Sequence, residues 1–180
     1  MSNTAAAPTP ITTPGVYYDV VPRVLRNVNS YPFNGTFTST VTVATANAIP
    51  QITQGNEVMA FNHTATSLSS WLEFEVFTNI VATGAVSIPT TYYLALFADY
   101  SPEALIVSPG LLNTSAIGNA FPVYFKHYLM PVTLSPVRYS IRMAPNQNTV
   151  VVNWFQYGGR TQSRVTVKEW SGLSLNNTAP

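Results

Sequence analysis

From Val16 onward no stretch of the chain sustains a helical period; apolar and polar residues alternate instead in short runs closed by Gly, Pro, Asn or Ser. Residues two apart on a strand share a face, so each such run offers one apolar side to a core. The clearest is Trp71-Leu-Glu-Phe-Glu-Val-Phe77, where Leu72, Phe74 and Val76 alternate with Glu73 and Glu75. A chain that buries apolar surface only in this way must pack one sheet on another or close a sheet on itself. The runs place strands at Tyr31–Thr38 and Thr40–Ile49, then over WLEFEVFTNIV, PTTYYLALFADY, GLLNTSAIGNA and FPVYFKHYLM. The segment NTVVVNWFQYGGRTQSRVTVKEW reads as a hairpin, with Gly158-Gly159 supplying the positive φ of its turn. A short helix is expected within Thr53–His63, weakened by Gly55, and a helical turn at SPEAL, where Ser101 caps and Pro102 begins it. Eight antiparallel strands with one or two helical turns describe an all-β jelly-roll sandwich.

One domain suits 180 residues. The division expected is an N-terminal arm over 1–28, a jelly roll over 29–172 and a tail over 173–180. The arm begins with an uncharged Ala, Thr and Pro-rich segment that cannot pack by itself.

Charge narrows the function classes. Charged residues form 8% of the chain, against about 25% in soluble proteins generally. With 46% hydrophobic residues, much of the surface must be uncharged, which predicts association between subunits. Cysteine is absent, which removes disulfides and thiolate metal sites. No apolar run approaches the ~18 residues of a membrane span, and MSNTAAAPTPITTPG lacks the basic start and apolar centre of a secretory signal. The net charge of +1 argues against strong autonomous binding to nucleic acid; Arg23 and Arg26 in VVPRVLRN are the one local basic concentration.

The paired carboxylates invite a catalytic reading. Glycoside hydrolysis uses carboxyls about 5 to 9.5 Å apart, which i, i+2 positions on a strand permit. A calcium site needs several converging oxygens, and Asp19, Asp99 and Glu103 are scattered. No nucleotide loop, zinc motif or usable Ser-His-Asp spacing occurs. The expectation is therefore a protein that is not an enzyme and holds no metal or cofactor. Asn34, Asn62, Asn113 and Asn176 head Asn-x-Ser/Thr triplets, read as chance matches in a chain rich in Asn and Thr.

In order along the chain, YPFN, SLSSW leading into WLEFEVF, SIPTTYYLALF with SPEAL, LMPVTLSPVRYS, and NTVVVNWF with SRVTVKEWSG resemble the coat proteins of tymoviruses and their marafivirus-like and macula-like relatives. The resemblance covers about Ser30 to Gly172 and rests on order and spacing. It implies a jelly roll with sheets B-I-D-G and C-H-E-F, assembled through pentamers and hexamers into an icosahedral T=3-type shell around a positive-strand RNA. It also implies polyamines as counterions for that RNA, and a protein found in the virion and, during assembly, in the host cytoplasm.

If WLEFEVF is strand D, it lies between G, with Lys126, and I, with Arg164 and Lys168. Alternation then puts Glu73, Glu75, Lys126, Arg164 and Lys168 on one sheet face, as a cross-strand charge cluster or subunit contact, and keeps both carboxylates ionised. The resemblance further gives His63 a role facing RNA, with protonation favouring phosphate contact, and Arg23 and Arg26 join it. Two extra residues before Ser67-Leu68 depart from the family's spacing, its second histidine has no counterpart in WSGLSLNN, and otherwise His63 is a surface-loop residue. His127 alternates with core positions and reads as a hydrogen-bonded core histidine. From a different class, a secreted β-sandwich binding carbohydrate or another surface ligand would use exposed Tyr17, Tyr18, Tyr92 and Tyr157.

Overall fold

The computed structural model describes residues 18–20, 24–33, 35–39, 49–83, 90–112, 121–146, 149–152, 162–171 and 175–177. The strands are β1 (Tyr18–Val20), β2 (Leu25–Phe33), β3 (Phe37–Ser39), β4 (Asn56–His63), β5 (Trp71–Thr83), β6 (Thr90–Ala98), β7 (Ile106–Leu112), β8 (Phe121–Leu129), β9 (Val137–Pro145), β10 (Thr149–Val152), β11 (Ser163–Trp170) and β12 (Leu175–Asn177). One sheet sets β2, β11, β5 and β8 side by side, and the other runs β4-β9-β6-β7; every pairing is antiparallel. When β2, β4, β5, β6, β7, β8, β9 and β11 are lettered B to I in chain order, these sheets read B-I-D-G and C-H-E-F, the orders of a jelly roll. β1 pairs with β12, so the expected arm and tail each contribute a strand.

The core lies between the sheets. Leu72, Phe74, Val76 and Ile80 of β5, with Val165 and Val167 of β11, face Leu94 and Leu96 of β6 and Ile141 and Met143 of β9; all are 2% exposed or less. Tyr139 joins the layers, its ring 4.8 Å from Phe74 and 5.8 Å from Phe61. Each large side chain buried in this way contributes about 1.5 to 3 kcal/mol.

Four expectations are corrected. No helix occurs among the described residues, and the segment expected to carry one holds β4. Gly55, at φ 67°, turns the chain into that strand; a Cβ there would meet the Met143 carbonyl at 2.8 Å. SPEAL is a tight turn: Ser101 N–H donates to Ala98 O, and Glu103 N–H donates to the Ser101 hydroxyl. The fifth strand starts earlier than GLLNTSAIGNA, at Ile106. The expected hairpin is not one, because β10 and β11 both run antiparallel to β5 along the same edge and so run parallel to each other; β11 pairs with Trp71–Phe77 and β10 with Ile80–Thr83. Gly158-Gly159, most of Thr40–Ile49, Arg23, Tyr17 and Tyr157 lie outside the described residues.

Candidate functional site

On the outer face of the β2-β11-β5-β8 sheet, β5 runs between β11 and β8, with Glu73 opposite Lys168 and Glu75 opposite Lys126. Each lysine also reaches diagonally. Lys126 Nζ lies 2.9 Å from Glu73 Oε1 and 2.6 Å from Glu75 Oε1, and Lys168 Nζ lies 2.8 Å from Glu75 Oε2 and 3.9 Å from Glu73 Oε1. Trp170 Nε1–H donates to Glu73 Oε2 at 2.7 Å, and the Tyr124 hydroxyl donates to Glu75 Oε1 at 3.2 Å. Roofed in this way, Glu73 is only 5% exposed although it points away from the core.

Burial pushes the Glu75 carboxyl up, but hydrogen bonds from Lys126 and Lys168 outweigh it and hold the group at about 2. The hydrogen bonds to Glu75 and Glu73 push the Lys126 ammonium above its ordinary range. A carboxylate held ionised cannot serve as the protonated acid of glycoside hydrolysis. Arg164, two residues along β11 from the nearest row of the cluster, stands opposite Phe77 and makes no ion pair among the described residues.

Around the quartet the same sheet exposes Leu25, Val28, Tyr124, Tyr128 and Met130, each between 43% and 55%. The quartet needs no opposing charge from a neighbour and the exposed apolar and aromatic groups around it offer area to bury, while taking the partly exposed Lys126 and Lys168 ammonium groups out of water costs free energy. Arg26 is exposed at the start of β2. The other sheet carries a second ionic group on its outside, where Glu57 meets Arg138 at 2.6 Å and Arg142 at 3.6 Å.

His63 is not on a surface loop. It closes β4 with its side chain turned inward, 3% exposed, Nδ1 lying 3.1 Å from the Tyr31 hydroxyl and Nε2 buried without a partner among the described residues. Burial lowers its pKa, partly offset by the Glu169 carboxylate, and no face of the ring is open to a phosphate in this conformation. The sequence reading passed over Glu169. Ser163, Val165, Val167 and Glu169 share the inward side of β11, so alternation put a carboxylate on the core side. Glu169 is fully buried and accepts from Thr66 N–H at 3.0 Å, the Thr66 hydroxyl at 2.8 Å and Ser67 N–H at 3.1 Å. It thereby pins the β4–β5 connection to the end of β11. His127 is half-buried on the inner side of β8, and burial lowers its pKa. No group of three or more His, Asp or Glu gathers as a cation site among the described residues.

No family model and no curated protein matches the chain. Distant similarity is found to chains of virus particles and to a bacterial protein. The chain resembles, over 97% of its length, 47% of a chain of infectious bursal disease virus, Gx strain, at 10% identity and a TM-score of 0.42. It resembles, over 100% of its length, 84% of a chain of the Israeli acute paralysis virus full particle at 13% identity and a TM-score of 0.28. Over 87% of its length it resembles 14% of latent PorU from Porphyromonas gingivalis at 9% identity and a TM-score of 0.43. The chain spans less than half the length of the bursal disease virus and PorU chains, and none of these three is a tymovirus coat.

Proposed function

We propose that the chain is a viral coat protein that assembles with copies of itself into a closed icosahedral shell around RNA. The observation that carries the reading is the outer face of the β2-β11-β5-β8 sheet, where Glu73, Glu75, Lys126 and Lys168 neutralise one another inside a rim of exposed Leu25, Val28, Tyr124, Tyr128 and Met130. The exposed apolar rim of such a face gains from burial against a neighbour, its centre asks for no opposing charge, and weak contacts of this kind, repeated over closed symmetry, give a stable particle. A jelly-roll sheet order and a sparsely charged chain suit the same role. The finer reading is a tymovirus-like T=3-type shell of pentamers and hexamers, with RNA held weakly and its charge met largely by polyamines. Its place is the virion, after assembly in the host cytoplasm, and no catalysis is assigned to the carboxylate pair.

Sedimentation velocity on the purified protein at neutral pH, recorded at wavelengths that separate protein from nucleic acid, tests the reading. A fast, uniform boundary is expected, with an absorbance ratio that reports enclosed RNA. A slow boundary near the 19.6 kDa monomer across salt and pH would overturn it in favour of a ligand-binding sandwich. Of the tyrosines such a module would use, Tyr92 packs against the core and across Gly110, not into solvent.

A further inference from the structure

The shell reading leaves open which surfaces meet, and the distribution of unpaired charge answers that. Among the described residues most ionic groups are satisfied within the chain: the quartet on β5, β8 and β11, the Glu57 group, and buried Glu169. Asp99 and Glu103 are not. Both are exposed on the β6–β7 turn, which also carries Tyr100, 43% exposed, next to Asp99, and they make no ion pair among the described residues. The turn is rigidly held. Asp99 N–H donates to Arg138 O, Ile52 N–H to Pro102 O, Ala104 N–H to Pro50 O and Leu105 N–H to Leu96 O, all at 2.7 to 3.0 Å. An acidic knob fixed before contact loses little freedom on docking.

Unpaired positive charge lies on the other sheet. Arg26 and Arg164 are both exposed, and neither makes an ion pair among the described residues. They stand at opposite ends of it. Arg26 is beside the Leu25–Trp170 pair, and Trp170 in turn faces Trp71, the first residue of β5. Arg164 faces Pro32 and Phe77, about 20 Å along β11 at 3.3 Å per residue. The β6–β7 turn is at the Arg26 end: β6 finishes at Ala98 opposite Tyr139, β4 finishes at His63 opposite Val137, and the β4–β5 connection joins that end to Trp71. The base of β2 is also fixed there, with Val24 N–H donating to the Ser171 hydroxyl and Ser171 N–H to Val24 O, each at 2.8 Å.

A rotation axis preserves the radius and height of every point, so in a ring of identical subunits whose strands run along the radius or the axis, features at one end of the sandwich meet features at the same end of the next copy. The acids project from one sheet and Arg26 from the other, which is the arrangement of a head-to-tail contact. Resting on the self-assembly reading, we propose that the Asp99-Tyr100-Glu103 knob of one copy docks beside Arg26 of the next, against Leu25 and Val28. Complementary charge sets the register of this contact, and the exposed apolar groups supply its area.

Four variants test it by sedimentation velocity, with circular dichroism melting to show that each chain folds. Arg26→Glu alone and Asp99→Lys with Glu103→Lys are each expected to lower the particle fraction at least about tenfold, the effect of a contact weakened by some 1.4 kcal/mol. Combining all three reversals is expected to restore particles, and Arg164→Glu, at the far end of the sheet, is expected to lower the particle fraction less than Arg26→Glu does. The assignment is overturned if Arg26→Glu assembles normally, if the triple reversal of a folded chain recovers nothing, or if Arg164→Glu is the more damaging change. It is also overturned if Arg26→Glu particles form at normal yield but lose their nucleic-acid absorbance, which would make Arg26 an RNA contact. In each of those cases the unaltered chain still forms particles and the coat reading stands. If the unaltered chain gives no fast boundary, the coat reading falls and this contact with it.

Discussion

Replacing Glu169 tests how the end of the sandwich is held. The carboxylate is fully buried and accepts from two backbone N–H groups and one hydroxyl of the β4–β5 connection. Glu169→Ala leaves those donors without an acceptor. Hydrogen bonds to a charged group contribute about 1.5 to 3 kcal/mol each, and the loss is reduced because water reaches an end loop once the side chain is gone, giving about 3 to 4 kcal/mol. Glu169→Gln keeps one acceptor oxygen and the volume but turns an amide NH2 toward a donor, for about 1 to 2 kcal/mol. In a urea titration of the monomeric protein followed by tryptophan fluorescence, a slope near 2 kcal/mol/M converts the alanine loss into a midpoint about 1.5 to 2 M lower. Burial raises the Glu169 pKa, but the donors of the 66–70 loop outweigh it and the net value is lowered. The contribution is therefore present above 4.5 and lost as pH falls through the folded value. An alanine variant within about 0.5 M of the unaltered chain, or a glutamine variant as damaged as the alanine, would refute the reasoning.

Because burial lowers the His63 pKa, the unfolded chain takes up the proton first; stability is full above 6.5 and declines as pH falls toward the folded value. His63→Gln is expected to flatten that decline between pH 7.5 and 5.5 in the same titration. Lys168→Met removes one of the two ammonium groups that hold Glu75 at about 2, so the Glu75 carboxyl midpoint, followed by carbon NMR, is expected to rise toward its ordinary 4.5. Gly110→Ala puts a Cβ into the Tyr92 ring lying across it, and the crowding is expected to cost about 1 to 3 kcal/mol, read as a lower thermal midpoint.

Strands with an unbroken period of two were legible in the sequence: WLEFEVF, FPVYFKHYL and SRVTVKEW fall on β5, β8 and β11, and their alternation brings Glu73 and Glu75 to Lys126 and Lys168. The segment NEVMAFNH misled because a bulge between Glu57 and Met59 breaks the period, leaving Val58 and Met59 adjacent and both buried. In β9, Val137, Tyr139, Ile141 and Met143 alternate with Arg138, Ser140 and Arg142, but no strand was assigned to the segment, which Pro136 precedes and Pro145 ends. The Gly158-Gly159 signal is local, whereas the partner of β10 and β11 is β5, a pairing no short window contains. Glu169 was hidden by composition: a carboxylate at the end of a charged run looks like surface until the parity of Val165 and Val167 is extended to it.

The shared edge of β5 bears on the order in which the chain is made. Trp71 leaves the ribosome roughly a hundred residues before Trp170, its partner, and that delay leaves a long apolar strand with one side unpaired. Through that interval the nascent chain displays an open template to any neighbouring strand, including its own copies on the same messenger. Folding of this sandwich is thus timed by β10 and β11, and slowing translation before β10 should lower the yield of soluble chains more than slowing it after β11.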